Sequence, residues 1–429
     1  MWQLRAGILV DMSRFLYTLL FHGLLPFILL RLWLRGGRAP AYRQRLGERL
    51  GLGLPALQPG GIWVHAVSVG ESIAAAPLIR ALLERHPQLP LIVTCMTPTG
   101  SERIRALFGD RVQHCYLPWD LPWAAARFLD RVRPKLALIM ETELWPNHIH
   151  QCARRGIPTV LANARLSARS ARGYGRIGAL ARPAFASLAG VAAQTADDAA
   201  RLAELGVAPV EVCGNLKFDV QPPADKLALG RQWRAALGER PVWLAASTRE
   251  GEEEPVLQAW RSVAPEALLV LVPRHPQRFA EVAALLGARG IEFARRSEGL
   301  PGPASRVWLG DSMGEMAAYY ALADLAFVGG SLLPLGGQNL IEAAACGCPV
   351  LVGPHTFNFK QATEDALAAG AALRVADADA LGVAVDRLLA DETALAGMRE
   401  AAQSFARAHQ GATGRMLALI ADWSGRAAR

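Results

Sequence analysis

Two carboxylates in the first half of the chain lie directly or a few residues after short β-rich runs. Glu71 follows the run IWVHAV, with Gly70 permitting a tight turn into a helical stretch, and Glu141 follows the run KLALIM. An ionised carboxylate is favoured in the first turn of a helix, where it can also accept a proton from a hydroxyl. Without further context, stabilisation of the helix dipole is the favoured explanation for Glu71. Glu141 and Glu143 would share one face of a continued strand, where they could hold a sugar or relay a proton, or one could pair with Arg165.

Basic side chains end further runs of the same kind. Arg165 follows TVLANA, and Lys217 follows Gly214-Asn215-Leu216. Such cations can neutralise a phosphate or a carboxylated sugar. Lys217 stands just before a polar, proline-containing stretch, where it would face the cleft of a two-lobed protein; a solvated surface lysine is the alternative.

In the second half of the chain, polar residues and glycines end the strand-like runs. Arg274 and His275 follow LLVLVP, and glycine-rich turns occupy residues 310–315 and 329–339. The free amides of such turns suit a phosphate. Glu342, one helical turn beyond the second of them, can face back and accept hydrogen bonds from ribose hydroxyls, with helix capping as the alternative.

Other motifs argue against a cofactor or a metal. Neither half carries a GxGxxG turn after its first strand, which disfavours a dinucleotide. The Asp-x-Asp segment at residues 377–379 precedes an Ala- and Leu-rich helix and is better explained as a helix cap. We therefore expect no obligatory metal and no cofactor, with Lys217, Arg274 and helix N-termini stabilising a departing phosphate. The six cysteines lack CxxC spacing and are expected to be reduced thiols.

Two α/β sheets would position these residues. β-rich runs alternate with amphipathic stretches, and the rhythm restarts after DVQPPADK. This alternation predicts two doubly wound parallel sheets, with ligands beyond the carboxyl ends of the strands in a cleft between lobes. The expected boundaries are 1–38 for an N-terminal segment, 39–220 for one domain and 221–429 for the other, with the last helix packing back on the first domain. The runs read as strands are IWVHAV, LIVTCM, VQHCYLP, KLALIME, TVLANA, GVAAQT, PVWLAAS, LLVLVPR, RVWLGD, LAFVGG and PVLVGP.

Composition indicates a folded protein with an anionic partner. The 429 residues exceed the usual size of one core, and 52% hydrophobic with 20% charged residues excludes a disordered chain. Forty-six Lys and Arg against 38 Asp and Glu give a formal net charge of +8. No basic run interleaved with aromatics resembles a nucleic-acid module, so a membrane surface or a phosphorylated substrate is favoured.

The N-terminal run FLYTLLFHGLLPFILL, residues 15–30, could cross a membrane or lie in its interface. Basic residues crowd its C-terminal side, which predicts that the following domains face the cytoplasm. These residues are Arg31, Arg35, Arg38, Arg43 and Arg45. A cleaved signal peptide is the alternative, but RLWLRGGR stands where a small-residue cleavage site would be needed.

Taken in order, the motifs resemble those of the bacterial Kdo (3-deoxy-D-manno-octulosonic acid) transferases across essentially the whole chain. The matching segments are VSVGES, TPTGSERI, METELWPN, NARLSARS, LKFD, PRHPQRF, GDSMGEM, FVGGSLL and GPHTFNFK. The resemblance implies a GT-B-type fold and inverting transfer of Kdo from CMP-Kdo to the lipid A precursor, lipid IVA. It also implies an inner-membrane anchor, with the catalytic body on the cytoplasmic face, and a role in lipopolysaccharide core biosynthesis. The sequence motifs are most similar to those of enterobacterial-type enzymes, which suggests two successive transfers.

The resemblance also implies residue roles. Glu71 matches the family's proton acceptor, and Glu141 and Lys217 match positions that stabilise the transition state. The positions matching the CMP site are Arg274, His275, Met313, Gly314, Glu315, Asn339, Leu340, Ile341 and Glu342. Many members read GGHNPLE where this chain has Gln338, and glutamine hydrogen-bonds without acting as an acid or base near neutral pH.

Two other functions fit parts of the pattern. Another two-lobed sugar-nucleotide enzyme, such as a lipid A disaccharide synthase or an epimerase, would share the fold, although an epimerase has little use for an anchor. A non-catalytic lipid- or nucleotide-binding protein would bind ligand without turnover and would tolerate Glu71→Gln.

Overall fold

A computed structural model describes residues 2–37 and 39–427, with side chains from residues 12–37 and 39–423. Arg38, which the sequence analysis assigned to the basic flank, lies outside these described residues, as do Met1 and residues 428–429. The chain forms two compact units. Unit 1 comprises Met1–Val220 with Gln410–Arg429, and unit 2 comprises Gln221–His409.

Unit 1 is built on a parallel sheet that has seven strands within the described residues, in the order β3-β2-β1-β4-β5-β6-β7. β1, β2, β4, β5 and β6 are buried at every residue, as expected for a sheet covered by helices on both faces. The strands are β1 Ile62–His65, β2 Leu91–Cys95, β3 Gln113–Tyr116, β4 Leu136–Met140, β5 Thr159–Ala164, β6 Gly190–Ala193 and β7 Val210–Val212.

Helices cover both faces of this sheet. They are α1 Trp2–Arg35, α2 Leu46–Arg49, α3 Val69–Arg85, α4 Pro98–Phe108, α5 Pro122–Val132, α6 Pro146–Arg154, α7 Ala168–Arg176, α8 Gly178–Ala186 and α9 Ala196–Glu204. Short 3-10 helices occupy Pro40–Arg43, Gly109–Arg111 and Leu216–Asp219.

Unit 2 repeats the architecture with a second parallel sheet, in the order β10-β11-β9-β8-β12-β13-β14. Its strands are β8 Val242–Thr248, β9 Leu268–Pro273, β10 Ala294–Arg295, β11 Val307–Leu309, β12 Leu325–Val328, β13 Val350–Val352 and β14 Ala372–Arg374. Its helices are α10 Ala224–Leu237, α11 Glu253–Arg261, α12 Arg278–Ala288, α13 Met316–Leu322, α14 Leu340–Ala345, α15 Lys360–Ala368, α16 Ala378–Ala390 and α17 Glu392–Ala408. Two 3-10 helices lie at Arg296–Glu298 and Phe357–Phe359.

The last helix, α18 (Ala412–Ala427), belongs to the core of unit 1. Met416 and Trp423 are buried there among residues of β1, β2 and α3. A Cβ atom on Gly190 would lie 2.6 Å from the Trp423 ring, so β6 needs glycine at this point. Asp219 accepts hydrogen bonds from the amides of Gly411 (2.7 Å) and Thr413 (2.6 Å), which fixes the start of the helix.

The predicted doubly wound fold is confirmed. The eleven strand-like runs all form strands, but β7, β10 and β14 were missed, because they are two or three residues long and lie at or near the sheet edges. In each unit the strand order reverses next to the first strand, between β1 and β4 in unit 1 and between β8 and β12 in unit 2. Unit 2 also departs from a simple order at one edge, where β11 lies between β10 and β9. Ligands of such sheets bind beyond the carboxyl ends of the strands at this reversal.

Helix α1 contains a segment, Met12–Arg35, that is long and apolar enough to cross a membrane, with a mean hydropathy of 1.8 over its most apolar window. A single helix of this kind could anchor the protein, as the sequence predicted. Its polar side chains form a stripe on one side, at positions i, i+4, i+5 and i+9, and hydrogen-bond to the body of unit 1. These residues are Ser13, Tyr17, Thr18 and His22.

Candidate active site

Glu71 is held at the N-terminus of α3, next to the strand-order reversal of unit 1. Ser68 caps the helix, and its hydroxyl accepts from the Glu71 amide (3.5 Å) and donates to Glu71 Oε1 (3.2 Å). The Val67 amide donates to Glu71 Oε2 at 2.7 Å. This arrangement is close to a capping box, in which the helix cap and the third helical residue satisfy each other. The side chain is thereby fixed, with only 9% of the residue exposed.

The environment of Glu71 makes its carboxyl unusually basic. Burial is the main cause, and the negative charge of Glu141 adds to it, raising the pKa to about 8 against the hydrogen bonds from Val67 and Ser68. Glu143 contributes a further increase. A carboxyl with a pKa near the working pH can serve as a general base for a hydroxyl, since that role is most effective when the two values are close.

Glu141 lies just past β4, on the other side of the strand-order reversal. Its backbone is in the left-handed region (φ 55°), which is uncommon for a residue with a side chain and is frequent at functional sites. Because β4 ends at Met140, Glu141 and Glu143 do not continue as alternating strand residues, contrary to the expected shared face. Glu141 forms an ion pair with Lys217, with 3.6 Å between Oε1 and Nζ.

The loop that follows Glu141 is tied to neighbouring elements. Thr142 Oγ1 donates to the Arg165 carbonyl at 2.7 Å, and the Tyr174 hydroxyl donates to the Thr142 carbonyl at 3.3 Å. Glu143 is partly buried, and this burial, followed by the charge of Glu141, raises the pKa of its carboxyl. Three acidic groups therefore influence one another at this edge of the sheet.

Lys217 is positioned by two asparagines. The side chain of Asn163 accepts from the Leu216 amide at 2.9 Å, and that of Asn215 accepts from the Lys217 amide at 3.0 Å. Asn163 is fully buried at the end of β5 with φ 56°. In the sequence it stands only within the run TVLANA, and its supporting role requires the fold to be known. Unit 1 thus brings Glu71, Glu141 and Lys217 into one electrostatic cluster.

The glycine-rich turn after β12 forms a closed loop in unit 2. The Gly337 amide donates to the Gly330 carbonyl (2.7 Å), and the Gln338 amide donates to the Gly329 carbonyl (2.9 Å). A Cβ atom on Gly329 would lie 2.6 Å from the Ser247 carbonyl oxygen, so the turn requires glycine for close approach to β8.

Glu252 holds this loop through hydrogen bonds to its backbone amides. The sequence alone did not identify this residue. Its fully buried carboxylate accepts from the amides of Gly330, Ser331 (3.0 Å), Leu332 (3.1 Å) and Arg249 (3.2 Å). Burial raises its pKa, and the four amide bonds oppose that rise. The sequence showed only an acidic helix start at 250–254; the spacing alone could not identify which carboxylate turns inward.

Arg274 and His275 follow β9, as predicted, with both side chains exposed. The Arg274 amide donates to the Thr248 carbonyl (3.0 Å), which joins the ends of β8 and β9. Partial burial, and then the positive charges of Arg249 and Arg274, lower the pKa of His275. A neutral imidazole beside two guanidinium groups makes a cationic, hydrogen-bonding surface suited to a phosphate.

In the segment 313–315 the Met313 side chain is exposed, whereas the Glu315 side chain is held by neighbouring residues. Met313 is 60% exposed, and Gly314 has φ 77°. The carboxylate of Glu315 is paired with Arg296 (3.1 Å) and accepts from the Ser312 hydroxyl (2.6 Å). Glu315 therefore orders the turn through its carboxylate, while Met313 is available to a ligand.

Asn339 caps α14, accepting from the Ile341 amide (3.2 Å) and donating to Glu342 Oε1 (3.1 Å). Leu340 and Ile341 are each 1% exposed, so only their backbone could contact a ligand. Partial loss of hydration beside the neighbouring protein raises the pKa of the Glu342 carboxyl. The hydrogen bond from Asn339 and the positive charge of Arg274 oppose that rise. Because the Glu342 side chain remains exposed, water limits that rise.

Within residues 2–37 and 39–427, no group of three or more His, Cys, Asp or Glu side chains is arranged to hold a metal ion. Asp377 caps α16 by accepting from the Ala380 amide (2.9 Å), and Asp379 accepts from Gln258 Nε2 (2.7 Å). These contacts account for the Asp-x-Asp segment. In the described chain all six cysteines are unpaired.

Two doubly wound sheets, each with polar residues at its strand-order reversal, define the GT-B-type fold class, which glycosyltransferases share with other sugar-nucleotide enzymes. Residues 44–220 match the family model "3-Deoxy-D-manno-octulosonic-acid transferase (kdotransferase)", and residues 295–405 match "Glycosyl transferases group 1". The chain is 48% identical to the 3-deoxy-D-manno-octulosonic acid transferase of Bordetella pertussis, over 96% of this chain and 100% of that one. It is 44% identical to the enzyme of the same name from Haemophilus influenzae, over 95% of this chain and 98% of that one.

A solved structure, a putative UDP-N-acetylglucosamine 2-epimerase from Listeria monocytogenes, shares the fold. It covers 85% of this chain and 96% of its own, with a TM-score of 0.58 at 16% identity. The near full-length relatives establish that the chain belongs to the family of 3-deoxy-D-manno-octulosonic acid transferases. The predicted resemblance and GT-B-type fold are confirmed, and the protein is a glycosyltransferase that transfers Kdo in lipopolysaccharide biosynthesis.

Proposed function

We propose that the protein is an inverting, metal-independent transferase that moves Kdo from CMP-Kdo to lipid IVA, twice in succession, with Glu71 as the general base. The observation that carries the proposal is the buried Glu71 carboxyl at the strand-order reversal of unit 1, whose pKa is raised to about 8. Unit 1 serves as the acceptor-binding domain, and unit 2 binds the donor nucleotide.

In this mechanism the ionised Glu71 carboxylate removes the proton from a sugar hydroxyl of the acceptor. The freed oxygen attacks the anomeric carbon of Kdo as the bond from that carbon to the phosphate oxygen of CMP breaks, so a single displacement inverts the configuration. The proton remains on Glu71 until solvent takes it. With a pKa of about 8, roughly a tenth of the carboxyl is ionised at pH 7, so activity rises with pH through this value.

Glu141 and Lys217 tune the same reaction. The charge of Glu141 helps to keep Glu71 basic, and Lys217, 3.6 Å from Glu141, supplies a positive charge for the negative charge that develops as CMP leaves. A charge directed at a developing charge is typically worth about 100- to 1,000-fold in rate.

The nucleotide is held by the loops of unit 2. Arg274 and His275 bind the phosphate, and Glu342 accepts from the ribose hydroxyls while the Asn339 amide orients it. Met313 contacts the base from its exposed position, and Gly314, Glu315 and the backbone of Leu340 and Ile341 complete the pocket. These donors neutralise the phosphate of CMP without a metal ion.

The N-terminal segment, residues 1–38, holds the enzyme at the phospholipid surface of the bacterial inner membrane, with both units on the cytoplasmic face. The apolar Met12–Arg35 segment and the following arginines support this location. Confinement to the surface on which the acceptor lies raises the rate of encounter.

The test is transfer from CMP-Kdo to tetraacylated lipid IVA in the presence of a chelator, with the products weighed by mass spectrometry. We expect wild type to add two Kdo residues, and Glu71→Gln to bind CMP normally but to lose about 100- to 10,000-fold in rate. Glu84→Gln, which changes an exposed acid on the same helix, is the matched control and keeps wild-type activity. An active Glu71→Gln would remove Glu71 as the base, one added mass would refute the second transfer, and inactivation by the chelator would refute metal independence.

A further inference from the structure

An apolar groove of about 480 Å³ runs along unit 1 between α1, the loop after β4, and the α7–α8 corner. Its volume lies in the range of ligand pockets, about 300–1,000 Å³. Several apolar side chains at its rim are open to solvent, among them Leu16 (57% exposed), Leu20 (62%) and Ile177 (49%). Its walls also include Tyr17, Leu144 and Tyr174.

Helix α1 forms one wall and is fixed there by hydrogen bonds. Ser13 Oγ donates to the Ala179 carbonyl (3.0 Å), at the start of α8. The Tyr17 hydroxyl donates to Asp120 Oδ2 (3.0 Å), whose carboxylate is fully buried. The apolar helix therefore forms one wall of the groove.

The opposite wall is continuous with the candidate active site. Leu144 follows Glu143 directly and is three residues from Glu141, a span of at most about 10 Å. Tyr174, which lines the groove, donates its hydroxyl to the Thr142 carbonyl (3.3 Å). The groove therefore approaches Glu141, whose charge acts on Glu71.

The charge around the groove suits an anionic headgroup. The sequence contains no Asp or Glu between Glu143 and Asp197, and α7 has no buried residue. The arginines within that stretch are Arg154, Arg155, Arg165, Arg169, Arg172, Arg176 and Arg182. Three of them, Arg169, Arg172 and Arg176, lie on α7, and Arg176 lines the groove. A guanidinium group can pair with a phosphate, a group that a purely apolar ligand lacks.

We propose that this groove seats an acyl chain of the phosphorylated glycolipid acceptor, while its sugar reaches Glu71. The inference rests on the proposed function and adds a binding site for the lipid part of the acceptor. The acceptor, rather than bulk phospholipid, is the occupant because the groove leads to the Glu141 loop and is flanked by the arginine-rich helix. Helix α1 then has two roles, as an anchor and as one wall of the substrate site.

Kinetics with paired variants provide the first test. Ile177→Glu places a charge in the groove at an exposed position and is expected to raise the KM for tetraacylated acceptor at least tenfold, with the KM for CMP-Kdo unchanged. Val212→Glu makes the same change at an equally exposed residue of unit 1 that does not line the groove, and changes neither constant. An unchanged acceptor KM in Ile177→Glu would overturn the proposal.

Photo-crosslinking separates this proposal from the proposed function, because it needs no turnover. A tetraacylated diphosphoryl glucosamine disaccharide with a diazirine on one acyl chain is irradiated with full-length enzyme in the absence of donor. We expect labelled peptides from residues 12–20 and 174–180, and competition by unlabelled acceptor but not by excess phosphatidylethanolamine. Labelling in the groove without Kdo transfer would refute the proposed function and leave the groove assignment standing. Normal transfer with labelling elsewhere would refute the groove assignment alone, and so would displacement of the label by phospholipid.

Discussion

Replacing Glu71 by glutamine should make the stability of the protein less sensitive to alkaline pH. The carboxyl of Glu71 has a pKa of about 8 in the folded chain, against 4.5 when unperturbed. Folding therefore favours its protonated form. The stability that protonation provides is fully present below pH 4.5 and is lost as the pH rises through about 8. Glutamine resembles the protonated carboxyl at every pH and removes this dependence.

The size of the effect follows from the two pKa values. Relative to acid pH, an ionisable Glu71 costs the folded state between about 1 and 2 kcal/mol at pH 5.5 and between about 4 and 5 kcal/mol at pH 8.5. The free energy of unfolding of wild type should thus fall by about 3 kcal/mol more than that of Glu71→Gln between these pH values. Because the residue is only 9% exposed, solvent screening reduces this figure little.

The measurement is urea denaturation of both proteins in detergent at pH 5.5, 7 and 8.5. Hydrogen exchange of the peptide covering β1 and α3 assigns the change to unit 1. Glu84→Gln, on the exposed side of the same helix, should follow wild type at each pH. Parallel curves for wild type and Glu71→Gln would refute the raised pKa, and with it the reason for choosing Glu71 as a base that works near neutral pH.

Three further substitutions test the surrounding contacts. Glu141→Gln removes the charge that helps raise the pKa of Glu71, so the rise of kcat/KM with pH should move to lower pH; an unmoved profile would show that burial acts alone. Glu252→Gln weakens the acceptor for four loop amides. The free energy of unfolding of unit 2, measured by denaturation, should fall by about 1–3 kcal/mol, and CMP binding, measured by calorimetry, should weaken. Tyr17→Phe deletes the hydroxyl that donates to Asp120, so the free energy of unfolding should fall by about 1–3 kcal/mol and proteolysis after α1 should become faster. Unchanged cleavage would mean that apolar contacts alone hold the helix.

The sequence predicted the elements of the fold well, because parallel strands covered on both faces are continuous apolar runs that stand out from their neighbours. β1, β4, β8 and β9 were recognised in this way. The short strands β7, β10 and β14 were missed, since two or three residues carry too little periodicity to be distinguished from loops.

The candidate site was predictable where position along a strand is enough to place a side chain. Glu71 and Glu141 were found because they follow strands that turned out to flank the order reversal. The supporting residues were not found. The Asn163 side chain accepts a hydrogen bond from the Leu216 amide, 53 positions later in the sequence, and Glu252 accepts one from the Gly330 amide, 78 positions later. Neither contact leaves a local sequence pattern.

Backbone strain connects the fold to the chemistry in this protein. Glu141, Asn163 and Ser247 each adopt a left-handed backbone at or just past the end of a parallel strand, although none is glycine. Such a conformation typically costs about 1–3 kcal/mol and persists only where the surroundings enforce it. At Asn163 the side chain that results holds the segment before Lys217, and at Glu141 it places a carboxylate where it pairs with Lys217 and raises the pKa of Glu71. Glycine would relieve the strain at either position but would remove the side chain on which the cluster depends, so the strain is best understood as part of how unit 1 assembles a basic carboxyl and a cation at one sheet edge.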